Sequence, residues 1–161
     1  GDNPSLKEGA AARTPMQWNA EKGAGFSAAK KTVHPVIDKG FFSHEHVNVE
    51  AQRRDPSSLL NWMAALIRLR KECPEIGWGT WQLVDVKNPS VLGICYRWED
   101  RYILVFHNFS DKPVEIQFPA KITGKPALAD LMKNENFEKD EKDRFIIPLL
   151  AYGYRWFRAK G

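Results

Sequence analysis

Hydrophobic and polar positions divide the chain into three stretches with different periods. Over about the first fifty residues there is no sustained period of either kind, although several aromatic side chains are present. Apolar residues then recur at helical spacing from about residue 55, and after Gly79 they alternate with polar residues, which is typical of strands. The pattern therefore predicts an irregular segment, one long helix and an all-β half, with a domain boundary near Gly77 to Gly79.

The helix is predicted over about residues 55–73. Asp55 is the expected N-cap and Pro56 the first helical residue, where the missing N–H costs nothing. Pro74 marks the expected stop. The apolar residues that follow the helical spacing are Leu59, Trp62, Met63, Leu66, Leu69 and Cys73, widened by Leu60 and Ile67. Such a wide apolar stripe predicts burial on more than one side of the helix.

The second half predicts several short antiparallel strands. A hairpin is expected from residues 91–98 and 101–109, joined by a tight turn at Glu99 and Asp100, with Leu92, Ile94, Tyr96 and Trp98 on one face. Further strands are predicted in "VEIQF", around "PALADLM", and in "RFIIPL" and "YGYRWF". Short strands separated by turn-rich segments favour an antiparallel sandwich or barrel.

Composition and charge narrow the class of protein. The chain has 161 residues, of which 43% are apolar, enough for a packed core, and a net charge of +4. Its basic residues are interspersed with acids, which indicates a solvated surface rather than a nucleic-acid partner. No apolar run could span a membrane, and no signal peptide is recognisable, so we expect a soluble, cytoplasmic protein. Cys73 and Cys95 lack metal-site spacing, and we expect both to be free thiols.

Candidate catalytic groups are scarce. No pair of carboxylates is placed to flank a glycosidic bond, and the acids of "ENFEKDEKD" are best interpreted as a solvated loop. His44 and His46 form an H-x-H pair without further ligands at suitable spacing. Neither a phosphate-binding loop nor a nucleophile elbow occurs. We therefore predict no catalytic residue, no metal site and no cofactor in this chain.

One loop does combine residue types that suit a sugar. "RTPMQWN" places Arg13, Gln17 and Trp18 close together without a regular period. Loop packing and contact with a ligand both remain open for Trp18, whereas Trp62, Trp98 and Trp156 fall on periodic faces and are expected to be core residues.

Three segments together resemble a known family. "ARTPMQWNAEKGAGFS", "VNVEAQRRDPSSLLNWMAALIRLRKECPE" and "AYGYRWFR" are similar to the C-terminal end of α-amylase-superfamily enzymes, the family-13 glycoside hydrolases. The resemblance covers essentially the whole chain and implies an α+β fragment. Residues 1–78 would be the end of a (β/α)8 barrel, comprising a loop and the last helix, and residues 79–161 an all-β antiparallel C-terminal sandwich.

The resemblance also implies a function. It is strongest to members that interconvert maltose and trehalose by retaining α-glucosyl transfer, and next to oligosaccharide α-glucosidases. Arg13, Gln17 and Trp18 would be the substrate-binding residues, with Arg13 at the pocket and the other two shaping its loop. The family's catalytic motifs are absent from this sequence, so a missing catalytic barrel is the expected partner and the chain alone is expected to be inactive. A non-catalytic carbohydrate-binding sandwich and a homo-oligomer stay open as alternatives.

Overall fold

A computed structural model describes residues 13–161 and separates the chain into two compact units, Gly1–Ile67 and Arg68–Gly161. The helices are α1 (Val49–Arg54), α2 (Leu59–Lys71) and α3 (Pro74–Trp78), and Lys22–Gly25 and Ala120–Ile122 form short 3-10 segments. The unit boundary falls within α2. The domain boundary expected near Gly77 to Gly79 stays a prediction.

From Arg13 to Val47 the first unit is irregular apart from the short 3-10 segment, and it is then helical. Asn48 is the N-cap of α1, and its side-chain oxygen accepts a hydrogen bond from the Ala51 N–H at 2.8 Å. This cap satisfies an N–H that the first helical turn leaves without a backbone partner. The absence of a sustained period before α1 agrees with the mostly irregular backbone of residues 13–47.

The predicted start of the long helix is wrong. Asp55 is the C-cap of α1, and its carboxylate accepts hydrogen bonds from the backbone N–H and the hydroxyl of Ser57. Helix α2 starts at Leu59, with the Ser58 hydroxyl accepting a hydrogen bond from the Asn61 N–H at 3.2 Å. Both Asp and Ser are good caps, and the short helix α1 carries too weak an apolar period to show that Asp55 closes one helix instead of opening another.

The predicted stop at Pro74 is also revised. Helix α2 ends at Lys71, and Pro74 opens α3, since proline suits the first turn of a helix as well as the segment after one. No residue of α2 is buried within the described part of the chain. Leu59, Met63 and Ile67 are 67%, 43% and 51% exposed and lie along one stripe at i, i+4 and i+8.

The second unit is an antiparallel β structure, as predicted. Strand order in a six-stranded sheet is β1-β2-β3-β8-β5-β6, and β4 pairs with β7 in a two-stranded sheet. The strands are β1 (Thr80–Leu83), β2 (Val91–Trp98), β3 (Arg101–Asn108), β4 (Val114–Pro119), β5 (Ala127–Asp130), β6 (Asn136–Glu138), β7 (Arg144–Leu149) and β8 (Tyr154–Lys160). The predicted β2–β3 hairpin is confirmed, with Trp98 paired to Arg101 across its turn.

Both sheets contribute to one hydrophobic core. Leu104, Phe106 and Phe157 from the large sheet share a buried cluster with Ile116 and Phe145 from the small one. On β2 the core takes the face of Gly93 and Cys95, while Ile94 and Tyr96 on the predicted apolar face are half-buried. An added Cβ at Gly93 would lie 2.9 Å from a Phe106 ring atom, so the glycine makes room for that ring.

The opposite face of the large sheet is covered by α3. Helix α3 contacts β2 and β3, and Ile103 and Val105 on this face are buried. Arg158 of β8 pairs in register with Ile103 and donates a hydrogen bond to the Glu72 carbonyl at 3.0 Å. Its guanidinium also lies 3.8 Å from the carboxylate of Glu75, whose side chain is 1% exposed. One face of the large sheet thus packs on the small sheet and the other on a helix.

The polar run at residues 134–143 is more ordered than a solvated loop. Strand β6 lies within it and pairs with β5. Glu135 accepts a hydrogen bond from Arg155 at 2.6 Å, and Asp140 accepts one from Arg144 at 2.7 Å. Charged residues at a sheet edge look like a loop by composition, because a three-residue edge strand needs little apolar content.

The two thiols are free and buried, Cys73 at 0% and Cys95 at 2% exposure. Burial raises the pKa of Cys95 to about 11 and also raises the pKa of Cys73. Among the described helices, none is long and apolar enough to cross a membrane.

Candidate functional site

The loop that carries the predicted site residues is tied to the start of α1 by its backbone. The Gln17 carbonyl accepts a hydrogen bond from the Val49 N–H at 2.9 Å, and the Trp18 carbonyl accepts one from the Glu50 N–H at 3.0 Å. The Trp18 N–H donates to the Ala24 carbonyl at 2.8 Å. These bonds fix the backbone of Gln17 and Trp18 although the segment has no regular secondary structure.

Gln17 holds two parts of the following chain together. Its side-chain amide nitrogen donates to the carbonyl of Phe42 at 3.2 Å and also to the carbonyl of Val47. Its amide oxygen is buried and has no hydrogen-bond partner within residues 13–161. The side chain therefore links Gln17 to backbone carbonyls 25 and 30 residues later in the sequence, and it shapes the loop.

Arg13 and Trp18 are the more exposed members of the predicted set. The Trp18 side chain is 46% exposed, and Arg13 is exposed at the beginning of the described chain. An exposed indole presents a large apolar surface with one N–H donor, and a guanidinium presents several N–H donors in a plane. Both groups are chemically suited to a ligand rich in hydroxyls.

A cleft of about 410 Å³ lies beside this loop. Gln17 contributes to its lining, whereas Arg13 and Trp18 lie outside the lining. The residues that line it are Thr14, Pro15, Met16, Gln17, Ile37, Phe42, Val47, Asn48, Val49 and Gln52. None of these side chains ionises, so the cleft offers amides, one hydroxyl and apolar surface, a combination that suits a neutral polyol.

Asn48 is a cleft residue that the sequence interpretation missed. Its oxygen caps α1, and its amide nitrogen donates to the His44 carbonyl at 2.8 Å, so both ends of the side chain are used. The signal that could have found it is the order Asn48, Val49, Glu50, since an asparagine followed by an acid in the first turn is typical of a helix start.

The two histidines of the H-x-H pair have different environments. His44 is buried, and its Nδ1 lies 3.1 Å from the Ile37 carbonyl, while His46 is exposed. Within residues 13–161 no group of three or more His, Cys, Asp or Glu side chains is placed to hold a metal ion.

Comparisons with known proteins confirm the family resemblance. The family model described as alpha amylase, catalytic domain, matches residues 3–79, and the sucrose hydrolase-like C-terminal domain matches residues 101–158. A trehalose synthase of Pimelobacter sp. is 31% identical over 98% of this chain and 29% of its own length. An oligo-1,6-glucosidase of Bacillus subtilis, named as probable, is 33% identical over 85% of this chain and 23% of its own length.

A solved structure supports the same relationship. The trehalose-6-phosphate hydrolase of Bacillus licheniformis superposes with a TM-score of 0.67 at 27% identity, covering 92% of this chain and 26% of that one. The chain thus spans less than a third of the length of the relatives it matches.

Proposed function

From the confirmed resemblance to the C-terminal part of α-amylase-superfamily enzymes, we propose that this chain serves a retaining α-glucosyl-transferring enzyme that interconverts maltose and trehalose. It contributes a substrate-pocket loop and a structural β-sandwich. The catalytic carboxylates of the proposal lie in an upstream (β/α)8 barrel, whose last helix is α2. The trehalose synthase similarity at 31% identity favours this reaction.

The observation that carries the proposal is the cleft beside the Arg13–Trp18 loop. Its lining residues within 13–161 include no ionisable side chain and combine amides with apolar groups such as Met16 and Phe42, which are 51% and 57% exposed. A neutral sugar has the matching surface, since its hydroxyls pair with amides and its C–H faces pack on apolar side chains.

The apolar stripe of α2 supports the barrel assignment. Leu59, Met63 and Ile67 are exposed on one side of the helix, and covering each would contribute about 1.5–3 kcal/mol. The last helix of a barrel packs against neighbouring strands and helices, which is the environment that such a stripe requires. The model match over residues 3–79 to an α-amylase catalytic domain agrees with this placement.

The three predicted residues take different roles in this proposal. Arg13 directs its guanidinium to substrate hydroxyls or to a catalytic carboxylate of the barrel. Gln17 holds the loop through its bonds to the Phe42 and Val47 carbonyls. Trp18, with its backbone bonded to Ala24 and Glu50, presents an indole at the edge of the pocket.

The test uses the intact enzyme that contains this chain. Incubation with maltose should yield trehalose, and Arg13→Ala should lower kcat/KM about tenfold or more, because charge-assisted hydrogen bonds to substrate are lost. Arg53→Ala, at another exposed arginine, which lies on α1, is the matched control and should leave kcat/KM unchanged. Full activity in Arg13→Ala would show that Arg13 does not contact the substrate.

The same assay separates the alternative enzyme. The 33% identity to the Bacillus subtilis protein favours an oligosaccharide α-glucosidase as second candidate. Release of glucose from maltose or isomaltose without any trehalose would assign that activity instead.

A non-catalytic sugar-binding sandwich is the third candidate. Trp78 and Trp81 favour it, because they are 81% and 65% exposed and could stack on sugar rings. Calorimetric titration of this chain with maltose and longer glucans tests this candidate. An absence of binding heat at millimolar sugar would exclude sugar binding by the sandwich.

A further inference from the structure

A second cleft lies in the β unit, at the β1 edge of the large sheet. Its volume is about 400 Å³. Thr80 pairs with Arg97 and Arg97 pairs with Tyr102, so these three residues form one row across β1, β2 and β3. Directly paired residues share a face of the sheet, and Gln82 follows on the same face two residues after Thr80. Trp81, Cys95 and the segment from Lys121 to Gly124 also line it.

The charges of this cleft have one sign. In the part of the chain that the structure describes, its lining includes the cationic side chains of Arg97 and Lys121 and no carboxylate. This distinguishes it from the cleft beside Gln17, whose described lining residues carry no charge. A ligand that neutralises two neighbouring cations is anionic, and a guanidinium together with an ammonium suits a phosphate group in particular.

Contacts within the chain hold the guanidinium of Arg97 in place, whereas the side chains of Gln82 and Lys121 are available to a ligand. The Arg97 guanidinium lies 5.7 Å from the Tyr102 ring centroid, and its Nε donates to the Glu99 carbonyl at 3.3 Å. These contacts orient the guanidinium and leave its terminal N–H groups to bind a ligand. The side chains of Gln82 and Lys121 have no hydrogen-bond or ion-pair partner within residues 13–161.

We propose that this cleft binds a small phosphorylated sugar. The phosphate lies against Arg97 and Lys121, and the sugar hydroxyls pair with the Gln82 amide and with the hydroxyls of Thr80 and Tyr102. The volume falls within the range of about 300–1,000 Å³ that is usual for small-molecule sites. The site shares no described lining residue with the cleft beside Gln17, and the proposal does not depend on the proposed glucosyl-transfer function.

An NMR titration of the full 161-residue chain tests the proposal. Glucose 6-phosphate, inorganic phosphate and glucose are added separately at equal ionic strength, because charge-driven binding weakens with salt. We expect saturable shifts in the Arg97, Lys121 and Gln82 signals with glucose 6-phosphate. Its affinity should exceed that of either other probe by about fivefold or more, since both halves of the ligand form hydrogen bonds.

Variants separate the two halves of the site. Lys121→Gln and Arg97→Gln should each weaken glucose 6-phosphate binding about tenfold, because a charge-assisted contact is lost. Gln82→Ala should weaken glucose 6-phosphate but leave inorganic phosphate unchanged. Lys142→Gln, an exposed lysine outside the cleft, is the matched control and should bind normally.

Three results would overturn the proposal. Equal affinity for inorganic phosphate and glucose 6-phosphate would show that the cleft binds the anion alone. Equal affinity for glucose and glucose 6-phosphate would show that it binds a neutral sugar. Unchanged binding in Lys121→Gln, with a native-like spectrum, would place the phosphate elsewhere. Because Lys121 is exposed on a turn, its substitution should preserve the fold and keep this outcome informative.

Discussion

The buried carboxylate of Glu75 makes Arg158→Met a sensitive test of how α3 is held on the large sheet. The Glu75 side chain is 1% exposed, and neither of its oxygens has a hydrogen-bond partner within residues 13–161. The Arg158 guanidinium at 3.8 Å is the cation that faces it. Removing Arg158 leaves a buried negative charge without its counter-charge, which is far more costly than losing a surface ion pair.

The expected loss can be worked from these contacts. Breaking a fully buried ion pair costs roughly 3–5 kcal/mol, and the hydrogen bond from Arg158 to the Glu72 carbonyl adds roughly 1 kcal/mol. Arg158 is 36% exposed and its separation from Glu75 exceeds hydrogen-bond distance, so water screens part of the attraction. We therefore expect Arg158→Met to lower the free energy of unfolding by about 2 kcal/mol.

A double-mutant cycle in urea identifies the cause. The pair Glu75→Gln with Arg158→Met should be less destabilised than the sum of the single variants by about 1 kcal/mol or more, because no buried charge is left. Arg101→Met on β3 is the control and should stay within about 0.5 kcal/mol of the parent. If Arg158→Met matched that control and the cycle were additive, the pair would have no role in holding α3.

Three further predictions concern the cap, the core and a buried thiol. Asn48→Ala should lower stability by about 1 kcal/mol through loss of the α1 cap, and an unchanged thermal midpoint would contradict the capping role. Gly93→Ala should lower the free energy of unfolding by about 1–3 kcal/mol because the added Cβ meets the Phe106 ring. Unchanged stability would show that the core accommodates the methyl group. Cys95 keeps its proton up to a pKa of about 11, against 9.0 ordinarily. Stability should therefore fall as pH rises from 9.0 towards 11, since the unfolded thiol ionises first. This prediction would be refuted if the stability of the unmutated protein and that of Cys95→Ala changed equally between pH 9 and pH 11.

The β half was predictable because its signals are local. Alternation over Val91 to Trp98 and the two-residue turn at Glu99 and Asp100 specify the hairpin without knowledge of the rest of the chain. The predicted helix boundaries were wrong because their signals are not local. Asp55 and Pro74 each suit both the end of one helix and the beginning of another, and only the neighbouring short helices decide which applies.

The candidate sites depend on contacts that residue type does not encode. The motif around Arg13 marks the loop, but the partners of Gln17 are the backbone carbonyls of Phe42 and Val47, and a carbonyl carries no sequence signal. The second cleft needs a cross-strand register, because Thr80 and Tyr102 become neighbours only through their common partner Arg97. Motifs therefore mark the loop beside the first cleft, whereas the second cleft can be found only from strand pairing together with the position of the Lys121 segment.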